Sequence, residues 1–232
     1  MSDNVRPELL VSRLAADNEV WRVDAEARLI ALGADAVPVL LGALHHAHPA
    51  VRIHAAHALS RIRDTRALPA VVAALADAEN RGAVAIAAEK ALVEWGEAAK
   101  PQLLEAARTA ADPVRARAVR ALGRIGGADL DARLRELLLD PVAGVRAQAA
   151  AALAAVAGSA SLPALTPLLA DADKWVRYGV AEALVGLGST RGEAVLREAE
   201  ADPEEQGTHV QFWAEDLLDQ ISELRRTGRT LP

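Results

Sequence analysis

The chain has 232 residues, 52% of them hydrophobic but only 3% aromatic, so its apolar mass is nearly all Ala, Leu and Val; these pack helices closely and disfavour a β-sandwich. It contains no cysteine, which excludes disulfides, Cys-based zinc sites and thiol nucleophiles and fits a reducing compartment. A formal charge of −6 and a pI near 5.6 give no general attraction to nucleic-acid phosphate.

From the N-terminus, Met1 to Pro7 is polar and acidic, without the basic-then-apolar order of a secretory signal. No run approaches the ~18 to 20 uninterrupted apolar residues of a membrane span, so a soluble, cytoplasmic protein is expected. Pro7 then opens the first predicted helix, and prolines recur at Pro38, Pro69, Pro101 and Pro163, with gaps of 31, 31, 32 and 62. One copy therefore lacks its proline, near Arg133. Each proline heads an apolar stretch such as PVLLGAL (38–44), PAVVAAL (69–75) or PALTPLL (163–169), and proline is tolerated at a first helical turn because its missing N–H would be unpaired there anyway. Pro167, four residues into its helix, predicts a local distortion.

A second helix follows each proline helix. An arginine after an apolar residue stands at Trp21-Arg22, Val51-Arg52, Val114-Arg115, Val145-Arg146 and Val176-Arg177. Seven residues on comes a leucine, at Leu29, Leu59, Leu122, Leu153 and Leu184; with Leu92 the leucine spacings are 30, 33, 30, 31 and 31. In residues 48–62, Val51, Ala55, Leu59 and Ile62 form one stripe of a 3.6-period helix. Short turns such as Gly33-Ala34-Asp35, Asp112-Pro113, Gly126-Gly127, Asp140-Pro141 and Gly188-Ser189 separate the helices. The expected fold is all-α: an α-solenoid superhelix of about seven two-helix repeats in a single domain over 1–232. The repeats span 5–34, 36–65, 67–97, 99–127, 130–159, 161–189 and a capping repeat at 192–226. Neighbours must stack to bury such stripes. The arginines are expected to form a structural column near acidic turns such as Asp17, Asp140 and Asp171. The third copy breaks it, with Ala85 in the arginine's place and Gly82 nearby, either a flexing point or drift. In the cap, 203–226 predicts one charged helix with Phe212, Trp213, Leu217, Leu218, Ile221 and Leu224 inward and Glu204, Glu205, Glu215, Asp216, Glu223, Arg225 and Arg226 outward.

The unit DADKWVRYGVAEALVGLG (171–188), following LPALTPLLA (162–170), resembles the HEAT repeat, in particular its short PBS-lyase HEAT-like form. The resemblance covers about Pro7 to Leu218. It implies that the arginine-bearing helices line a concave face, with the proline helices outside. The same repeat serves scaffolds, adaptors, chromophore-lyase subunits and a few enzymes, so it is specific for fold and not for function.

Positions two, five and nine after the arginine avoid the buried stripe and should project from that face. They are Asp24; His54, His57 and Arg61; Ala87, Lys90 and Glu94; Arg117, Arg120 and Arg124; Gln148; and Gly179, Glu182 and Gly186, with Tyr178 beside them. Five of the six histidines lie at His45, His46, His48, His54 and His57. His54 and His57, three apart, have a spacing that chelates metals, but no metal or other cofactor is expected. Iron-binding HEAT hydroxylases that modify a lysine derivative use adjacent His-Glu pairs, and the chain has none. Arg117, Arg120 and Arg124 form the sharpest basic cluster, suited to carboxylate or phosphate, with Glu94 among the acids that balance it. A DNA-gripping face would carry interleaved aromatics and net positive charge, so nucleic acid is not an expected partner. Trp21 and Trp213 are expected in the core, and Trp175 with Tyr178 at the surface, where aromatics anchor partners. The expected function is a protein-binding adaptor or scaffold that uses Arg117, Arg120, Arg124, His54, His57, Tyr178 and Trp175. The alternative is a catalytic or lyase-type subunit acting on a bilin or other small metabolite, with Asp24, His54, His57, Lys90 and Glu94 as acid/base groups.

Overall fold

Prolines and turn caps cut the chain into helical hairpins. A computed structural model describes residues 6–78 and 82–227. Its contacts separate two units, Met1–Ile125 and Gly126–Pro232. In the first, the hairpins are α1 (Pro7–Arg13) with α2 (Glu19–Leu32), α3 (Val37–Ala43) with α4 (Pro49–Ile62), α5 (Leu68–Ala73) with α6 (Ala83–Trp95), and α7 (Lys100–Thr109) with α8 (Asp112–Ile125). In the second they are α9 (Asp131–Leu137) with α10 (Ala143–Ala157), α11 (Leu162–Leu165) with α12 (Lys174–Gly186), and α13 (Glu193–Ala201) with α14 (His209–Thr227). The fold is an all-α solenoid of two-helix repeats, and no strand occurs among the described residues.

Pro7, Pro38, Pro69, Pro101 and Pro163 all fall in the first two positions of their helices. The second helices α2, α4 and α12 begin on side-chain caps: Asn18 accepts from the Val20 N–H at 2.9 Å, His48 from that of Ala50 at 3.3 Å and Asp173 from that of Trp175 at 2.8 Å. Such caps satisfy donors that have no partner inside the helix. At Pro167 the α-helix gives way to a 3₁₀ turn, Thr166–Ala170, as the sequence predicts. Second helices pack in a row, α2 on α4 on α6 on α8 in one unit and α10 on α12 on α14 in the other. Leu29, Leu59, Leu92, Leu122, Leu153 and Leu184 are all fully buried, which is why the Ala-Leu signal repeats.

The arginine row is structural: Arg115 donates to the Ala110 carbonyl at 3.4 Å and pairs with Asp112 at 2.9 Å, and the other four members are tied alike. Arg22 donates to the carbonyls of Ala16 (2.7 Å) and Asp17 (3.2 Å), Arg52 to His46 (2.7 Å) and Ala47 (3.0 Å), Arg146 to Asp140 (2.9 Å) and Pro141 (3.2 Å), and Arg177 to Asp171 (2.9 Å) and Ala172 (3.4 Å). These carbonyls close the turn within the hairpin. Two members also reach 25 residues forward to the next turn: Arg52 to Asp77 at 2.8 Å, and Arg146 in a two-pronged pair to Asp171 at 2.6 and 2.8 Å. Arginine suits this because its planar fork holds carbonyl and carboxylate together.

Several expectations fail at the ends of the rows. Trp21 is 62% exposed, not in the core; among the described residues no second helix precedes α2 to cover the place that Val51 fills one repeat later. Residues 143–170 include a stretch apolar and long enough for a membrane span by composition, yet the chain turns at Gly158 (φ +53°) and folds it into α10 and the next hairpin. The final helix starts at His209 rather than 203. Before it, Asp202 caps the Glu204 N–H at 2.9 Å and Gly207 turns at φ +73°. Glu205 points inward, held by Lys174 (3.0 Å) and the Thr208 hydroxyl (3.0 Å), and Glu215 is half-buried. Phe212 is 60% exposed, because it lies opposite the stripe of Val210, Ala214, Leu217, Leu218, Ile221 and Leu224.

Candidate functional site

None of the residues two, five or nine after the arginine is buried, from Asp24 in α2 to Gly186 in α12. Position four is different. It holds Glu26 in α2 and Glu89 in α6, which are 8% and 3% exposed. Each buried carboxylate gathers two basic side chains from the next second helix. His54 and His57 in α4 each turn Nδ1 onto a different oxygen of Glu26, so both rings donate from that nitrogen. Arg120 in α8 donates to Glu89 Oε2 through Nε at 2.8 Å and also through Nη2, while Arg124 reaches Oε1 at 3.3 Å. His57 and Arg120 occupy the same place relative to their glutamates, 31 residues on. The two stations are one device built with different bases.

Burial pushes the Glu26 carboxyl up, but the hydrogen bonds and charge of His54 and His57 outweigh it and hold the group below its ordinary value. A cavity of about 370 Å³ opens beside this station, lined by Val23, Glu26, Ile53, His54, His57, Ala87, Lys90 and Ala91. Of the five candidate acid/base groups it gathers His54, His57 and Lys90. It does not gather Asp24, which pairs with Arg28 at 3.0 Å on the exposed side of α2. Nor does it gather Glu94, which accepts from the Ser60 hydroxyl at 2.7 Å and lines a separate cleft with Arg61 and Arg63. His46 and His48 serve the entry to α4: His46 Nδ1 accepts from the His48 N–H at 3.0 Å, and His48 Nδ1 from the Ala50 N–H at 3.3 Å. Among the described residues no three His, Asp or Glu are arranged to hold a metal ion.

The arginine cluster is partly corrected. Arg117 is drawn down against Gly82 and donates to the Leu75 carbonyl, so it braces the hairpin that lacks its own arginine instead of projecting toward a partner. Arg120 and Arg124 remain exposed along much of their length, and the acid between them is Glu89, not Glu94. Tyr178 is also corrected: it is 3% exposed, because α14 lays Trp213 against it with ring centroids 5.9 Å apart. Trp175, in edge contact with Tyr178 at 5.8 Å, is 52% exposed, as expected of a surface aromatic. Trp213 packs on the last core cluster while staying partly open.

Sequence inspection missed Glu26 and Glu89, which look like ordinary surface acids of amphipathic helices. The signal was their identical offset from the arginine position, visible only when the repeats are laid over one another.

Comparison with known proteins places HEAT repeats at residues 7–92, 79–154 and 140–211. No curated protein matches. Among solved structures, an archaeal HEAT-like repeats protein from Thermococcus onnurineus NA1 is 14% identical, covering 95% of this chain and 98% of that one at a TM-score of 0.49. The complex of CpcE and CpcF of phycocyanin lyase from Nostoc sp. PCC7120 is 21% identical over 95% and 97%, at 0.41. Human deoxyhypusine hydroxylase in complex with glycerol is 22% identical over 94% and 96%, at 0.38.

Proposed function

We propose that this chain, which belongs to the HEAT-repeat family, is a protein-binding scaffold that grips an acidic segment of a partner on the exposed face of α4, α6 and α8. Solenoids of this kind leave one side of their second helices free of neighbours along the stack, and the expected use of such a surface is macromolecular contact. One observation carries the choice of face: two guanidiniums, Arg120 and Arg124, share the single carboxylate of Glu89. One positive charge is left over, with donors still open to solvent. Exposed Arg61 and Lys90 stand at the matching positions of the two preceding second helices. Across 1–125 there are 16 Lys and Arg against 15 Asp and Glu, whereas 126–232 has 10 against 17, so an acidic partner is repelled by the second unit and not by the near-neutral first.

The test must spare Glu89, since stripping both arginines would strand a buried charge and unfold the region for an unrelated reason. Arg61→Glu, Lys90→Glu and Arg124→Gln combined leave the Arg120–Glu89 pair in place. In affinity capture from native lysate, this variant is expected to hold the partner at least about tenfold more weakly, and wild-type capture to fall with added salt, with helical circular dichroism unchanged. Undiminished capture by the triple variant would remove the assignment.

A second reading, a small-metabolite subunit, draws support from the cavity beside Glu26, His54 and His57, where Lys90 adds a cation for an anionic ligand. The same capture, analysed for small molecules, would then return a metabolite kept by wild type and lost from His57→Ala.

A further inference from the structure

The second unit carries a site of opposite preference, and it owes nothing to the face just described. Trp175, Gly179 and Glu182 fall at i, i+4 and i+7 on α12, one helical face, opposite Val210 and Trp213 on α14. Between them lies a pocket of about 230 Å³, lined also by Tyr178 and His209. A water occupies ~30 Å³, so the space accepts a headgroup of several heavy atoms. Its aromatic members stand at steep angles to one another: Trp175 and Tyr178 at 81° with centroids 5.8 Å apart, Tyr178 and Trp213 at 43° and 5.9 Å. Rings at these separations touch one another, so a guest lies against them, chiefly against exposed Trp175, and not between them.

The floor is open because of Gly179. A Cβ built there would meet no atom within 4 Å, so any side chain at that position would project into free space. Glu182 is exposed beside it, and the unit around the pocket is strongly acidic, with a net charge of −7 from 17 acidic and 10 basic residues. Such a field repels anions and favours cations. Trp175 already has one ammonium near it: Lys174 Nζ lies 5.6 Å from the ring centroid. That lysine is held by Asp202 (3.6 Å), Glu204 (3.6 Å) and Glu205 (3.0 Å), and it does not line the pocket.

From aromatic walls, one rim carboxylate and an unfilled floor, we infer that the Trp175–Tyr178–Trp213 pocket is a receptor for a methylated ammonium group. A quaternary ammonium is drawn to the negative faces of aromatic rings, has no N–H that needs an acceptor, and gains from a nearby carboxylate. A plain lysine ammonium is more strongly hydrated and gains less from such walls. The group could arrive on a methylated lysine of a protein or on a free choline-like molecule; the chemistry at the pocket is the same.

Choline and its neutral carbon isostere 3,3-dimethylbutan-1-ol separate charge recognition from simple apolar filling. Titrated into the full chain and followed by the indole N–H resonances, choline is expected to move the signals of Trp175 and Trp213, with the isostere at least about tenfold weaker. Trp175→Ala assigns the signal. Glu182→Gln should weaken choline several-fold, and Gly179→Leu should abolish binding by filling the floor while leaving the melting temperature within a few degrees of wild type. A peptide carrying trimethyl-lysine, compared with the unmodified peptide, identifies the source. Tighter binding than choline assigns a protein ligand, and affinity equal to choline assigns a free amine. Equal affinity for choline and the isostere, choline binding that survives Gly179→Leu, or no choline-dependent shift would each overturn the proposal.

Discussion

The most informative residues are those whose neighbours are set by the repeat. Glu26 takes both Nδ1 donors of α4, and its ionised form is favoured by them in the folded chain. A carboxyl whose folded pKa is depressed contributes stability that is present above its unfolded value, and that is lost as pH falls through the lowered one. Thermal unfolding should therefore show the melting temperature falling as pH drops below the ordinary glutamate value of 4.5, and Glu26→Gln should flatten that limb. A variant with the same acid limb as wild type would mean that the histidines do not hold the carboxylate ionised. The arginine row was legible in the sequence because the same residue recurs at the same offset. Glu26 and Glu89 were not, because two copies among six give no period to notice. Tyr178 misled for a different reason: it adjoins Gly179, a projecting position of its repeat, and only the arrival of α14 covers it.

At the scale of helices, packing decides which small residues matter. Gly192 sits at the entry to α13, and a Cβ there would lie 2.9 Å from Ala181 Cα and 3.1 Å from its carbonyl oxygen in α12. Backbone cannot yield as a flexible side chain does, so Gly192→Ala should lower stability by about 1–3 kcal/mol. Gly179→Ala, inside α12 with open space around it, should raise it by about 0.5–1 kcal/mol through helix propensity. Denaturant melts of the two variants check both signs; equal effects would show that α12 and α13 do not approach this closely. Helix starts were legible because proline and the capping residues carry a local mechanism. The turn at 203–208 was not: its acidic, helix-friendly residues outvoted Pro203 and Gly207, and side chains fix its ends, Asp202 accepting from the Glu204 N–H and Thr208 donating to Glu205 while accepting from the Val210 N–H of α14.

For the whole chain, the sequence announces seven hairpins and leaves their use to details that periodicity does not encode. Its two units differ in charge, +1 over 1–125 and −7 over 126–232 by the counts of Lys and Arg against Asp and Glu. The proposed acidic partner of the first unit and the proposed cationic guest of the second both rest on that difference. Only three lysines exist: Lys90 on the α4–α6–α8 face, Lys100 buried against Glu97, and Lys174 beside Trp175. Zero-length carbodiimide coupling joins a lysine to a carboxylate in contact with it, so it reports which unit an acidic partner touches. With the captured partner bound, mass spectrometry should find its Asp or Glu residues joined to Lys90. Links to Lys174 alone, or none to Lys90, would contradict the placement of the partner on the first unit.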